Sequence, residues 1–381
     1  MRAGRSIVVI EPKGDLVADV LAHVPHSRLR DVVVLDPLDS APVGLNPLSV
    51  SGRADTRSEG LLAVFRSIYG DAIGPRSADI LHSALLTLAR RPDASLLMLP
   101  LLLTNAGFRR SVTTGLGDPI ALEPFWAWYE QLSEGERAAA IAPVMNKLRP
   151  WLLNRSLRAV LGQRNPRFDL SSVFTERTIL LVPLQKSVLG PEASQLLGSL
   201  VVAQLWQATA QRATVPPERR HPVSVVIDEV QDYLHLPTDL GDALARARGY
   251  GVGFTLAHQY LGQLGPDLRP GILANARSRV LFQLSHEDAA VMAKGHPELG
   301  PDDFTALGAF EVYASLFAGG RVTPYASGRT LPTTPTVSDP GELRARSRER
   351  YGRTLEEIEA GFSELTTHSP TAPTGRKRRQ P

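Results

Sequence analysis

Val225-Val-Ile-Asp-Glu-Val-Gln-Asp232 is the stretch on which the reading of the fold turns. Pro222-Val-Ser-Val-Val-Ile-Asp228 is a run of branched apolar residues closed by acid. Such a run reads as a strand buried on both faces, in a sheet covered by helices on each side. Open parallel sheets bind ligands beyond the carboxyl ends of their strands. Asp228 and Glu229 stand at that end. Two adjacent carboxylates there suit a division of labour, in which Asp228 holds Mg²⁺ and Glu229 orients and polarises an attacking water. An acidic turn after any buried strand gives the same letters, so the pair alone leaves both readings open.

Downstream, Ala243-Leu-Ala-Arg-Ala-Arg-Gly-Tyr-Gly-Val-Gly-Phe-Thr-Leu-Ala-His-Gln259 gives a helix with Arg246 and Arg248, a Gly-rich turn, and a strand ending in His258-Gln259. Carboxylate strand, arginine helix, polar-ended strand is the order used by ring ATPases. Gln259 is placed to sense a phosphate or a water from the neighbouring strand tip. Arg246 or Arg248 either lies on a solvated helix face or reaches a neighbouring subunit's nucleotide. Arg248 is the preferred finger, because it directly precedes the Gly-rich turn.

Upstream, Ser6-Ile-Val-Val-Ile10 and Asp31-Val-Val-Val-Leu-Asp36 read as two more buried strands around a helix over Leu16–His23. Strand, helix, strand with short loops is a βαβ unit with parallel strands. Residues 55 to about 165 then change character. Ile80, Leu81, Ala84, Leu85 and Leu88, and later Val144, Leu148, Trp151 and Leu152, recur at helical spacing. Phe125-Trp-Ala-Trp-Tyr129 belongs to this stretch and reads as aromatic packing in a helical core. The strand pattern resumes at Thr178–Val182, followed by a long helix over Glu192–Arg212. Runs at Val252–Leu256, Ser278–Leu284 and Phe310–Leu316 are expected to finish the sheet. From Pro332 a Pro-, Thr- and Ser-rich tail begins, broken by one polar helix over Pro340–Phe362.

The expected organisation is α/β, a mostly parallel sheet with helices on both faces and an inserted all-α domain. Residues 1–54 form the first part of the core, 55–170 the insertion, 171–332 the rest of the core, and 333–381 the tail.

The chain has no cysteine, which excludes disulfides, cysteine-ligated zinc, iron–sulfur clusters and thiol nucleophiles. Net charge is +3, too small to argue nucleic-acid binding by itself. The clearest basic run, Arg376-Lys-Arg-Arg379, is a short tail that reads as solvated. No apolar run reaches the roughly 20 residues that span a bilayer, and nothing after Met1 has the form of a signal peptide.

Glu11-Pro-Lys-Gly-Asp15, Gly44-Leu-Asn-Pro-Leu48, Asp228-Glu229, Ala257-His-Gln259, Asn275-Ala-Arg-Ser-Arg-Val280 and Ser285-His-Glu-Asp-Ala289 occur in one order along the chain. In that order they resemble the motifs of HerA/FtsK-superfamily motor ATPases, and in particular the TraG/TraD-like coupling proteins of type IV secretion. The resemblance runs from about residue 5 to 332. It implies a RecA-like P-loop NTPase core, a homo-hexamer, and ATP-driven pumping of DNA held by its backbone without sequence preference. It also implies partners such as a relaxase or secretion-channel proteins. By the same resemblance Glu229, Gln259, Arg248 and Arg246 are catalytic. Asp228, Lys13 and Asp15 stand at the nucleotide, with Asp228 on Mg²⁺. A cytoplasmic location is implied, at the inner face of the membrane if N-terminal helices anchor the whole protein.

There are departures from this family pattern. Glu11 stands where the family has Asp. More seriously, no Gly-Lys dipeptide occurs in the sequence, so Gly-x-x-x-x-Gly-Lys-Ser/Thr is missing. That loop cradles phosphates with backbone amides and neutralises them with its Lys. In the family it lies one helix before Ser6–Ile10, so the chain is expected to be an N-terminally truncated form, inactive alone. The strand ending at Asp228 is then expected to lose a neighbour, with poor stability or dependence on a partner as the consequence. A non-hydrolysing module that docks a relaxase or secretion substrate, and a channel- or pilus-assembly ATPase, are the alternatives.

Overall fold

A computed structural model describes residues 1–49, 52–234, 240–266 and 268–367. The basic run at 376–379 lies outside them. β1 (Ser6–Glu11), α1 (Asp15–Ala22) and β2 (Val32–Val34) open the chain. The helical insertion follows as α2 (Ala54–Tyr69), α3 (Pro75–Ala89), α4 (Met98–Thr104), α5 (Ala106–Thr113), α6 (Leu122–Gln131), α7 (Glu134–Leu153) and α8 (Arg155–Leu161). The core resumes with β3 (Ile179–Pro183), α9 (Lys186–Leu189), α10 (Pro191–Gln211), β4 (Val223–Ile227), α11 (Val230–Tyr233), α12 (Leu240–Gly249) and β5 (Val252–Leu256).

These strands form one five-stranded sheet in the order β2-β3-β1-β4-β5, with every neighbouring pair parallel. The first two strands are parallel, as the βαβ reading requires, but they do not touch. β3 returns from beyond the insertion and pairs with both. The apolar runs account for this, since β3 is buried along its whole length and tolerates only apolar neighbours on either face.

Two expectations about the sheet fail. β4, which ends at Asp228, lacks no neighbour: β1 flanks it on one side and β5 on the other. β2 and β5 are the two edge strands, and β5 has the more exposed face. Gly253 and Thr255 on that strand are exposed, whereas β1 and β3 are buried almost throughout. Nor do the last strand runs finish this sheet. After α13 (Leu268–Asn275), β6 (Arg279–Leu281) joins a separate antiparallel sheet. α14 (His286–Ala293), α15 (Pro301–Thr305), β7 (Glu311–Ser315), β8 (Phe317–Ala318), β9 (Arg321–Val322) and β10 (Ala326–Arg329) follow. The order there is β10-β7-β6, with β8-β9 as a small hairpin. The runs are apolar enough for strands, but they pair antiparallel among themselves, β6 with β7 across α14 and α15 and β7 with β10. β6 pairs only with β7, leaving Val280 and Phe282 about half exposed.

The C-terminal segment is more than a tail. α16 (Pro340–Tyr351) and α17 (Leu355–Thr367) replace the single polar helix expected, broken at Gly352. α16 covers the far side of the sheet. Ser347 Oγ accepts a hydrogen bond of 2.8 Å from the Val34 amide, and Arg344 pairs with Asp36 at 2.6 Å.

The insertion is a true helical core. Phe65 packs on Trp151, ring centroids 4.9 Å apart, and Trp126 Nε1 donates to Thr87 Oγ1 at 2.9 Å. Trp126 and Tyr129 are buried, so the aromatic run packs as expected. Where the chain crosses into the insertion, Asn46 does what the motif spelling conceals. Its Nδ2 donates to the carbonyls of Ala94 and Arg164, each at 2.7 Å, and its Oδ1 accepts from the Leu48 amide at 3.1 Å. One buried amide thus clamps the outgoing and returning chains. Gly44 is required beside it, because a Cβ there would sit 2.4 Å from the Gln163 side chain.

At the other end of the sheet, Arg28 is buried and donates to the carbonyls of Met1, Arg5 and Arg177, which binds the starts of β1 and β3 together. His221 lies close by, just before β4. Burial holds its imidazole below the ordinary histidine pKa, and the charges of Arg212, Arg177 and Arg28 add to that. The folded protein therefore binds fewer protons here than the unfolded chain, so this part of its stability is present above pH 6.5 and is lost as the pH falls below it. His23 shifts the opposite way, raised by carbonyl hydrogen bonds from Asp19 and Thr334. We expect the thermal midpoint to fall between about pH 7 and pH 5, and His221→Gln to flatten that fall. An identical profile for the two proteins would remove His221 as a contributor.

Candidate active site at the strand tips

The carboxyl ends of β1, β3, β4 and β5 lie side by side. Each contributes a polar turn. Glu11 ends β1 with its side chain 1% exposed. Its carboxylate accepts from the amides of Lys13 at 2.8 Å and Val17 at 3.3 Å. It therefore caps the start of α1, where a negative charge is stabilised by the helix dipole. The change from Asp to Glu is absorbed by this reach. Gly14 holds φ at 103°, and a Cβ there would press on Gln185 at 3.2 Å. The turn presents Lys13 and Asp15 at the surface.

β4 hands over to Asp228 and Glu229. The Asp228 amide donates to the Ile10 carbonyl at 3.0 Å, which fixes this turn against β1. Glu229 adopts φ 49°, ψ 55°, a left-handed conformation costly for a residue with a Cβ. It turns the Glu229 carboxylate toward the tip of β5. There Gln259 Nε2 donates to Glu229 Oε1 at 2.6 Å and Gln231 Nε2 donates to Oε2 at 2.7 Å. The structure thus brings together Glu229 and Gln259. Gln231 is a partner the sequence gave no reason to single out.

Gln185 and Lys186, just beyond β3, were also passed over. Gln185 is again left-handed, φ 36°, and Lys186 Nζ pairs with Asp232 Oδ2 at 2.6 Å. The rule that places ligands at strand tips applies to β3 as much as to β4, and would have found them. Tyr233 lies under this group, buried against Gly198 and sharing a 3.1 Å hydrogen bond with Ser194. Burial pushes its phenol well up, and the negative charges of Asp232, Glu11 and Asp228 add to the shift. The carboxylates of β1 and β4 therefore converge on one patch.

Arg246 and Arg248 do not join it. They occupy the last turn of α12, immediately before β5 begins. The strand tips lie at the other end of β5, five residues or roughly 16 Å away. Arg246 pairs with Asp242 at 2.7 Å, and the Arg248 guanidinium stacks over Phe317 at 4.9 Å.

Chemically, the tips bring carboxylate and amide side chains from adjacent strands together. Two amide donors, from Gln231 and Gln259, fix the orientation of the Glu229 carboxylate. Among the described residues no group of three His, Asp or Glu side chains could hold a metal ion. Asp228 offers Mg²⁺ one carboxylate, whereas that ion draws most of its oxygen shell from water and substrate phosphates. Asp228 is the carboxylate at the tips that would hold such an ion.

No protein-family model and no curated protein matches the sequence. Solved structures do match the fold. The plasmid coupling protein TrwB, in complex with the non-hydrolysable GTP analogue GDPNP, superposes with a TM-score of 0.58 at 18% identity, over 89% of this chain and 82% of that one. The chain shares its fold with TrwB. The unbound monoclinic form of the coupling protein TrwBΔN70 gives a TM-score of 0.62 at 17% identity, over 89% and 81%. VirB4 of Thermoanaerobacter pseudethanolicus gives 0.52 at 14%, over 88% and 83%. The coupling-protein fold is thus a RecA-like α/β core with its helical insertion, as the motif order implied. Among the described residues no helix is long and apolar enough to cross a membrane.

Proposed function

We propose that this chain is the water-activating part of an ATP-driven motor that moves DNA in a conjugation or type IV secretion system, inactive without a phosphate loop supplied by polypeptide outside these residues. The observation that carries the reading is the left-handed Glu229 at the tip of β4, its carboxylate 2.6 Å from Gln259 of β5. Backbone strain is retained where it aims a group that acts. The fold shared with TrwB and VirB4 supports the class of machine, and TrwB has been captured with ADP and Mg²⁺. The uncovered face of β5, where Gly253 and Thr255 are exposed, supports the incompleteness, because parallel strands are ordinarily covered on both faces.

In this reading Asp228 would hold Mg²⁺, Glu229 activates water, and Gln259 senses the phosphate. Arg248 or Arg246 serves a neighbouring subunit of a hexameric ring, which explains their distance from Glu229 in the same chain. DNA, a relaxase and secretion-channel proteins are the partners, and the cytoplasmic face of the inner membrane is the place of action.

Isothermal titration with MgATP tests the reading. The chain alone should bind more weakly than about 1 mM, near the limit of weak recognition. Fused to, or mixed with, a strand–phosphate loop–helix segment from its own gene neighbourhood, it should bind ATP and hydrolyse it faster with DNA present. Tight binding by the chain alone would overturn the incomplete site. A completed protein with no ATPase would overturn the motor.

A further inference from the structure

All five strands of the parallel sheet begin at the same edge, opposite the strand tips. Arginines gather there. Arg177 precedes β3, Arg5 precedes β1, Arg220 precedes β4 and Arg248 precedes β5. Along that part of the sheet the order is β3-β1-β4-β5, so the row spans roughly 14 Å at the usual strand spacing.

Side-chain contacts join these residues into one surface. The Arg177 guanidinium lies 3.7 Å from where a Gly4 Cβ would stand, beside the start of β1. Arg220 donates to the carbonyls of Val215 and Gly249 and stacks over Tyr250 at 5.5 Å. Arg248 and Arg277 share the Phe317 ring, each 4.9 Å from its centroid, which extends the row to the second sheet. Arg212 lies behind, 4% exposed, donating to the His221 carbonyl at 2.6 Å.

Most of the arginines on this edge have no ion-pair partner among the described residues, although Glu176 and Glu218 flank the row in the chain. Among the described residues only Arg28 of this group has a salt bridge, with Asp31. Buried Arg212 Nη1 and His221 Nε2 have no hydrogen-bond partner. Arg5, Arg177, Arg248 and Arg277 are exposed. Like charges crowded without ion-pair partners repel one another, so such a row is retained at a cost unless an anion completes it.

We infer that this edge binds the phosphodiester backbone of a nucleic acid, on the side of the sheet away from the nucleotide half-site. Guanidinium forks match phosphate oxygens bidentately, which favours phosphates over a lysine-type point contact. A single strand carries a charge every roughly 3.4 Å of axis, so the row covers about four phosphates. The choice of nucleic acid over an acidic protein rests on the reading of the chain as part of a DNA motor.

The test is fluorescence anisotropy of the full chain with a labelled oligothymidylate, without nucleotide, across a salt series. The variant Arg5→Ser/Arg177→Ser/Arg277→Ser removes three exposed cations that form no ion pair among the described residues. Its log–log salt slope should be shallower by about 2, and its affinity at 0.1 M salt about 100-fold lower. The control Arg66→Ser/Arg110→Ser/Arg149→Ser makes the same charge change on the insertion and should bind like the wild type. Circular dichroism melting confirms that both variants fold. If the wild type binds DNA and the edge variant binds equally well, this assignment falls and the motor reading stands. If the wild type binds no DNA, both fall. If polyglutamate displaces the oligonucleotide at equal charge concentration, the surface recognises acidic polypeptide instead and the inference is overturned.

Discussion

Glu229→Gln should lower ATP turnover of the completed motor by about 10²–10⁴-fold, the range typical of a lost general base, with little change in nucleotide affinity. The substitution keeps the shape and the left-handed turn. It removes the negative oxygen that accepts a proton, and it places an amide beside the amides of Gln259 and Gln231, where donors then face donors. Binding is untouched because the phosphate-holding groups lie elsewhere, so the loss appears in kcat rather than in KM. Phosphate release measured with the phosphate loop supplied and DNA present decides it; turnover at the wild-type rate would remove Glu229 from the mechanism. Glu229→Gly gives an independent check on the strain. Glycine adopts φ 49° freely, so relief of the left-handed conformation should stabilise the fold by up to about 1 kcal/mol. Activity falls as melting temperature rises, a combination that a merely structural residue would not show.

Arg109→Ala should destabilise the helical insertion by about 2–5 kcal/mol, the range for truncating a large buried side chain. Arg109 is 0% exposed. Its Nε donates to Glu130 at 2.6 Å, its Nη1 to the carbonyls of Leu102 and Leu103, and its guanidinium lies 5.0 Å from the Tyr129 ring centroid. One side chain thus closes the carbonyl end of α4 and fastens α5 to α6. Alanine leaves a cavity and orphaned carbonyls together. Arg109→Met fills the space and should cost clearly less, because Glu130 is partly exposed and rehydrates. Urea unfolding followed by tryptophan fluorescence reports on this region, where Trp126 and Trp151 are buried. Equal losses for Ala and Met would show that the charge, and not the volume, is what matters; no loss for Ala would refute the role. A domain is stabilised by only about 5–15 kcal/mol in total, so the alanine variant approaches the point at which the insertion unfolds.

Arg109 shows where sequence reading stops. An arginine within Ala106-Gly-Phe-Arg-Arg-Ser-Val-Thr113 looks like any solvated helical residue, and its neighbour Arg110 is one. Only the arrival of α4 and α6 makes one of the two a core residue. The same holds for Glu229. That an acidic pair ends a buried strand was legible. That its second member takes a left-handed turn toward Gln259 was not, because the turn depends on β5 lying next to β4. Arg246 and Arg248 show the reverse error of emphasis. Their place just before a strand fixed them at the strand's beginning, and the parallel arrangement then set them a strand's length from Glu229. The edge of the sheet was misplaced for a related reason. Strand order in a parallel sheet follows from crossovers and packing, and sequence order does not reveal which strand ends up outermost.

By itself, the sequence determined what local chemistry controls. Branched apolar runs specified the buried parallel strands, helical spacing specified the insertion, and strand-ending polar residues specified the tips. These follow from periodicity and from the cost of burying polar groups, which act within a few residues. The tertiary structure alone decided which strands are neighbours, that β5 has the more exposed face, that α16 covers β2, and that arginines from separate turns form one row. Those facts depend on contacts between segments far apart in the chain, for which no local pattern in the sequence provides a code.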